Sequence, residues 1–280
     1  MKVSVVITVF KRPERLLKAI TTVKNQTLKD IEIIVVDGSN SSELKSICEK
    51  EHVKYLQVEP EYVNASFWKG IQHQRNIGCK NAIGEYIAML DDDDDWDKRK
   101  LEEQLHIIDK SPEIGLVVCY NKTISGKNII IDKPSVYPEY DDLLKTFTFS
   151  STSTYFIRKS VLEKIGWWNE ELRGIHEYDI ALKILKEGYK IFTVPQVLMT
   201  RYRSFNQERK YYYIKIAEIM DFWKYYSRDF VKKIGVNGLI SNYYKTCGLF
   251  GFYMLGFVIK EKVWNIIYPL KWWYEKGKIC

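Results

Sequence analysis

Apolar, β-branched runs alternating with stretches of helical spacing restrict this chain more than any other feature of its sequence. Val3 to Val9 reads as a buried strand. Pro13 then suits a first helical turn, and Leu16, Leu17, Ile20 and Val23 follow with helical spacing. Ile31 to Val36, Tyr55 to Val58 and Tyr86 to Leu90 read as further strands. Helices are expected from about Lys69 to Ala82 and around Leu101, Leu105 and Ile108, the second with Asp97 as its cap. Strands alternating with helices predict an α/β fold with a mainly parallel sheet. Such sheets bind ligands beyond the carboxyl ends of their strands. Val9–Arg12, Asp37–Ser39 and Asp91–Asp95 each follow a strand, so all three should converge on one rim. The second half is more mixed. Strands are expected at 114–120, 128–132, 153–158, 190–194 and 197–203, with helices at 159–165 and 178–186.

Composition matters mainly through its distribution. Of the net charge of +7, all lies in residues 205–280, which hold 13 Lys and Arg against 6 Asp and Glu, and 20 of the 40 aromatic residues. A basic, aromatic segment on a neutral body fits an anionic surface. The 14 uncharged residues between Lys245 and Lys260 fall short of the roughly 20 that span a bilayer. Trp, Tyr and Lys together suit the headgroup region instead. The expectation is a helical extension over 205–280 in peripheral contact with a membrane. The competing reading has its aromatics packed on the body or on a second subunit. Five scattered cysteines without a C-x-x-C pair predict free thiols in a reducing compartment. The first apolar run is too short and too branched for a signal peptide, so a cytoplasmic location, at the cytoplasmic face of a membrane, is expected.

Asp91-Asp92-Asp93-Asp94-Asp95, between Leu90 and Trp96, is the strongest local signal. Adjacent carboxylates repel one another unless a cation or water relieves them. An extended backbone would put Asp91 and Asp93 on one face. Hard oxygen ligands of this kind suit Mg²⁺ or Mn²⁺ bridging to a diphosphate. A solvated acidic loop is the other reading of the run alone.

The flanking sequence resembles the family 2 glycosyltransferases, inverting enzymes of the GT-A fold, over roughly Lys2 to Arg203. Val3–Phe10 with Arg12-Pro13 is similar to that family's first strand and nucleotide loop. Asn25-Gln26-Thr27 followed by Glu32–Ser39 resembles its second block, and Arg75-Asn76-Ile77-Gly78 through Gly84–Asp91 the block leading into its DXD motif. The resemblance implies a catalytic domain over 1–204, with a nucleotide-sugar half at 1–110 and an acceptor half at 111–204. It implies that Thr8, Phe10 and Arg12 line the nucleotide cleft and that Asp37 meets the base. Arg75 would lie near the donor, and Asp91-Asp92-Asp93 would be the DXD triplet. Asp93 is then the first candidate for the metal, with Asp91 or Asp92 reaching ribose or metal. A lone Asp37 where the family often has two acidic residues departs from its pattern.

An inverting transfer needs a carboxylate to deprotonate the acceptor hydroxyl. The family places it in an acidic pair opening a helix after a Gly-aromatic segment. Here that segment is Gly166-Trp167-Trp168-Asn169-Glu170, followed by His176-Glu177-Tyr178-Asp179. Glu177 falls on the base position, and Asp179 is the second candidate. The implied donor is a nucleoside-diphosphate sugar, with a UDP-sugar favoured, and the implied acceptor is a glycan or lipid-linked glycan. A nucleotidyltransferase would need a Gly-rich phosphate loop, and Val9-Phe10-Lys11-Arg12 has no Gly. A carbohydrate- or nucleic-acid-binding module is the remaining alternative, and the acidic rim argues against a polyanion.

Overall fold

The computed structural model describes residues 2–63, 67–146, 149–172 and 174–203, with a few single positions between 221 and 232. The chain divides into two units, Met1–Tyr213 and Ile214–Cys280. The extension expected over 205–280 lies outside the described residues except for those single positions. Among the described residues no helix is long and apolar enough to cross a membrane.

The first unit begins with β1 (Val3–Val9), α1 (Pro13–Lys24), β2 (Ile31–Asp37), α2 (Ser42–Lys50), β3 (Lys54–Gln57) and α3 (Pro60–Val63). Next come α4 (Phe67–Lys80), β4 (Tyr86–Asp91), β5 (Asp94–Trp96), α5 (Lys100–Lys110), β6 (Ile114–Ser125) and β7 (Asn128–Asp132). It closes with α6 (Tyr140–Thr146), a 3₁₀ turn (Thr152–Thr154), β8 (Phe156–Arg158), α7 (Lys159–Lys164), α8 (His176–Lys186) and β9 (Lys190–Arg203). The strands run β3-β2-β1-β4-β8-β6-β9-β5, and β7 pairs with β6.

From β3 to β4 the pairing is parallel. Every residue of β1 is buried, which is why the strand reads as a continuous apolar run rather than an alternation. Helices cover it through small contacts as well as large ones. A Cβ at Gly78 of α4 would lie 2.3 Å from Val6 Cγ1 and 3.1 Å from Val36 Cγ2, so glycine lets α4 sit directly on the sheet.

Several local expectations change. Asp97 does not cap α5: Arg99 stands at the N-cap position without a side-chain cap bond, and Asp97 Oδ1 accepts the Arg99 N–H at 2.9 Å. The strand expected from 153 starts at Phe156, because the hydroxyls before it bond locally: Ser150 Oγ lies 2.8 Å from Thr154 Oγ1, which donates to the Ser151 carbonyl at 2.6 Å. The two closing strands are one, β9. Pro195 has no N–H for the ladder, and the register against β6 slips from Cys119↔Val194 to Tyr120↔Val197 around it. One helix not expected from the sequence, α2, starts at Ser41 as its N-cap and turns Leu44, Ile47 and Cys48 to the core.

Candidate active site

The acidic run is a turn, not an extended segment. β4 ends at Asp91, and the chain reverses at 92–93 because β5 pairs antiparallel with β9, Asp94 against Arg201. The expectation of one shared face for Asp91 and Asp93 by strand alternation is therefore corrected. Asp91 Oδ1 accepts from Thr8 Oγ1 and from Arg75 Nη2, both at 3.2 Å, while the Asp91 N–H donates to Ser153 Oγ at 3.0 Å. Asp92 is buried, with Oδ1 at 2.9 Å from Arg12 Nη1. Asp93 Oδ2 lies 3.3 Å from both Arg12 Nη1 and Arg15 Nη1. Asp95 Oδ2 meets Lys18 Nζ at 2.7 Å and the Tyr202 hydroxyl at 2.9 Å.

Arg12 at the N-cap of α1, with Arg15 and Lys18 on one face of the helix, thus lies along the acids. Residues three apart lie on the same helix face, so the stripe is written in the sequence. Arg15 and Lys18 were not among the residues that the sequence alone singled out.

Burial, more than crowding, raises Asp92, Asp93 and Asp94 toward neutrality. Burial, with Asp93 and Asp91 adding and Arg12 opposing, pushes Asp92 up to about 7. Burial and Asp91 push Asp94 up to about 7 against the pull of Arg201. Asp93 is raised by burial and by Asp91. Among the described residues Asp92 Oδ2 and Asp94 Oδ1 are buried without a hydrogen-bond donor. Such a set relaxes on taking up a proton or a cation. No three His, Cys, Asp or Glu side chains among the described residues gather as a ready metal cage. Magnesium-type ions characteristically take one or two carboxylates and fill the remaining positions with phosphate oxygens and water. The donors present fit that manner of binding.

Arg75 is the hub. It is buried, donates to Gln72 Oε1 at 3.2 Å as well as to Asp91, and its guanidinium lies 4.9 Å from the centre of the Trp168 ring. Its charge also reaches Glu177. Burial is the largest single influence on the Glu177 carboxyl and raises it, but Arg75, His176 and a hydrogen bond from the Thr152 hydroxyl together outweigh it and hold the group below its ordinary value. Glu177 sits in the first turn of α8, entered through Ile175 at φ 41°. Tyr155 Oη donates to the Glu177 carbonyl at 2.6 Å. Asp179, one half-turn on, is 2% exposed and pairs with Lys183 Nζ of its own helix at 2.8 Å, an arrangement that supports the helix. His176 is buried, and burial pushes it down to about 3, which leaves it neutral.

A buried hydroxyl-rich strap, Ser150–Thr154, joins these parts. Ser153 receives the Asp91 N–H at its hydroxyl and Trp96 Nε1 at its carbonyl, the latter at 2.7 Å. The Thr154 carbonyl accepts Gln104 Nε2 at 2.8 Å, and Thr152 holds Glu177.

Thr8, Arg12, Arg75, Asp91, Asp92 and Asp93 come together as the rim argument expects, and Phe10 stands half-exposed beside them. Asp37 does not present itself to a base. It is fully buried, and its oxygens accept from Ser39 N and Oγ, Ser41 N and Tyr55 Oη at 2.6–2.8 Å. Those four bonds saturate a carboxylate, so Asp37 shapes the turn after β2.

Residues 4–166 match the sequence model of glycosyl transferase family 2. A Rickettsia felis protein described as an uncharacterized glycosyltransferase is 39% identical over 125 residues, which are 43% of this chain and 19% of that protein. The chain therefore spans about a fifth of that relative. The GalNAc(5)-diNAcBac-PP-undecaprenol beta-1,3-glucosyltransferase of Campylobacter jejuni is 28% identical over 241 residues, covering 79% of this chain and 74% of its own. Among solved structures, S. aureus TarS 1-349 in complex with UDP-GlcNAc aligns with a TM-score of 0.63 at 17% identity, over 91% of this chain and 76% of that one. That likeness places the fold with the GT-A type. Because the family model spans more than half of the chain and covers the strands that end in the acidic turn, this protein belongs to glycosyl transferase family 2.

Proposed function

We propose that the chain transfers a sugar from a UDP-sugar to an acceptor hydroxyl, with inversion at the anomeric carbon and with Glu177 as the base. The observation that carries this reading is the position of Arg75, beside Asp91 from the end of β4 and within charge range of Glu177 from the start of α8. A donor-side carboxylate and an acceptor-side carboxylate thus share one buried cation.

In the reaction, the ionised Glu177 accepts the proton of the acceptor hydroxyl as that oxygen attacks the anomeric carbon. The bond from that carbon to the diphosphate breaks on the opposite face, and its electron pair leaves with the nucleoside diphosphate. A Mn²⁺ or Mg²⁺ ion held by Asp91 and Asp93 would supply charge neutralisation for that leaving group. Arg12 and Arg15, already at the acidic turn, have donors suited to phosphate oxygens. Support for a uridine donor comes from the UDP-GlcNAc bound to the TarS relative, and for a lipid-linked glycan acceptor from the undecaprenol-linked name of the C. jejuni relative.

Calorimetry with UDP, GDP and dTDP, with and without Mn²⁺, tests the donor. Binding of UDP that needs Mn²⁺ and is lost in Asp93→Ala supports the reading. Equal binding of all three without metal would remove both the base selectivity and the role of Asp93. The anomeric configuration of the product, read by NMR, decides inversion.

A further inference from the structure

The β6–β7 hairpin differs from the rest of the sheet. All residues of β7 are exposed, with Ile129 at 62%, Ile130 at 60% and Ile131 at 46%. Successive side chains on a strand point to opposite faces, so three exposed isoleucines in a row leave the hairpin bare on both. On one face, Ile129 opposes Ile124 and Ile124 opposes the exposed Tyr202 of β9, giving an apolar row across three strands. On the other, Ile130 opposes Thr123, Thr123 opposes Arg201, and Arg201 opposes Asp94. Ile130 is therefore three strands from the acidic turn, about 14 Å at ordinary strand spacing. Lys122, Lys127 and Lys133 ring the isoleucines, against a single acid, Asp132.

We propose that this hairpin is a contact surface for an anionic lipid bilayer. The isoleucines would enter the boundary between headgroups and acyl chains, and the lysines would face the phosphates. The surplus of lysine complements an anionic layer. The point where β9 ends agrees: Arg203 is in register with Ser125, beside the Gly126–Lys127 turn. From there the chain continues into residues 205–280, with their 13 Lys and Arg and 20 aromatics. That segment, like the hairpin, carries a surplus of positive charge. A second copy is disfavoured as the occupant. The antiparallel self-pairing that aligns the isoleucines centres on Ile130 and sets Lys127 against Lys133 at both ends, and like charges directly opposite destabilise a pair. The inference stands on the hairpin's own geometry. Only its bearing on the reaction, a lipid-linked acceptor held near the acidic turn, rests on the function proposed above.

The test is flotation of the full chain with vesicles of phosphatidylglycerol and phosphatidylcholine, beside vesicles of phosphatidylcholine alone. The wild type should float with the anionic vesicles. The double variant I129S/I131S should weaken partition by about tenfold or more, as loss of two buried aliphatic side chains implies. The charge-reversal variant K127E/K133E should weaken it by about tenfold or more on anionic vesicles and little on neutral ones. Both change exposed residues, and unaltered melting temperatures establish that they fold. Wild-type protein that stays unbound, or variants that float like wild type, overturn the proposal. So does an I129S/I131S variant that changes the molecular mass by light scattering while floating unchanged, since a second copy would then be the occupant. None of these measurements depends on sugar transfer.

Discussion

Asp91 and Glu177 meet at one guanidinium: Arg75 donates to Asp91, and its charge reaches Glu177. In the proposed reaction Glu177 works ionised, and Arg75, with His176 and Thr152, lowers its pKa against the effect of burial. The acid limb of kcat/KM therefore lies below the ordinary glutamate range and falls as pH drops through the folded value. Arg75→Met removes the attraction, so the limb should move to higher pH. A pH profile of kcat/KM checks this, and an unmoved limb would assign the titration to another group. Glu177→Gln keeps the bond from Thr152 and the shape of the turn but cannot accept a proton. Transfer should fall by about 100-fold or more, with UDP affinity retained, as steady-state kinetics beside calorimetry would show. At this scale the sequence is legible where the expected side chains meet, as Thr8, Arg75 and Asp91 do. It misleads at Asp37, whose carboxylate looks free in a turn yet is consumed by four neighbours.

Elements deliver those side chains, and their seating can be tested. Gly78 lets α4 rest on β1 and β2. Gly78→Ala should cost about 1–3 kcal/mol, as overpacking does, measured by urea unfolding. UDP affinity should fall with it, because Arg75 rides on the same helix. Lys100 opens α5 in full burial, with Nζ 2.7 Å from Gln104 Oε1 and 4.0 Å from the centre of the Trp96 ring. Burial lowers it from its ordinary value to about 8. The folded state thus holds its proton less tightly than the unfolded chain. The penalty is full below about pH 8 and lifts as pH rises toward the unfolded value. Lys100→Met removes this titration, so its melting temperature relative to wild type should fall as pH rises above about 8. β1, α1, β2 and β4 are legible because burial of a whole strand or one helix face leaves a periodic trace. β5 and the Ser150–Thr154 strap are not. Their shapes depend on partners far along the chain, Arg201 for one and Asp91, Trp96, Gln104 and Glu177 for the other.

For the molecule as a whole, ligand and fold are linked. If UDP binds only the folded chain, a concentration of 100 times its Kd adds about 2.7 kcal/mol to stability. Melting curves with Mn²⁺ and UDP together should show that gain, while Asp93→Ala should melt at the same temperature with or without them. An equal rise in the variant would move the binding site away from the acidic turn. The strap couples two parts of the molecule that are far apart in sequence. Because one short buried segment bonds both the acidic turn and the first turn of α8, neither can shift without disturbing the other. A change in the strap should therefore be felt at both, whereas a change in the exposed β6–β7 hairpin should leave the spacing between them as it is.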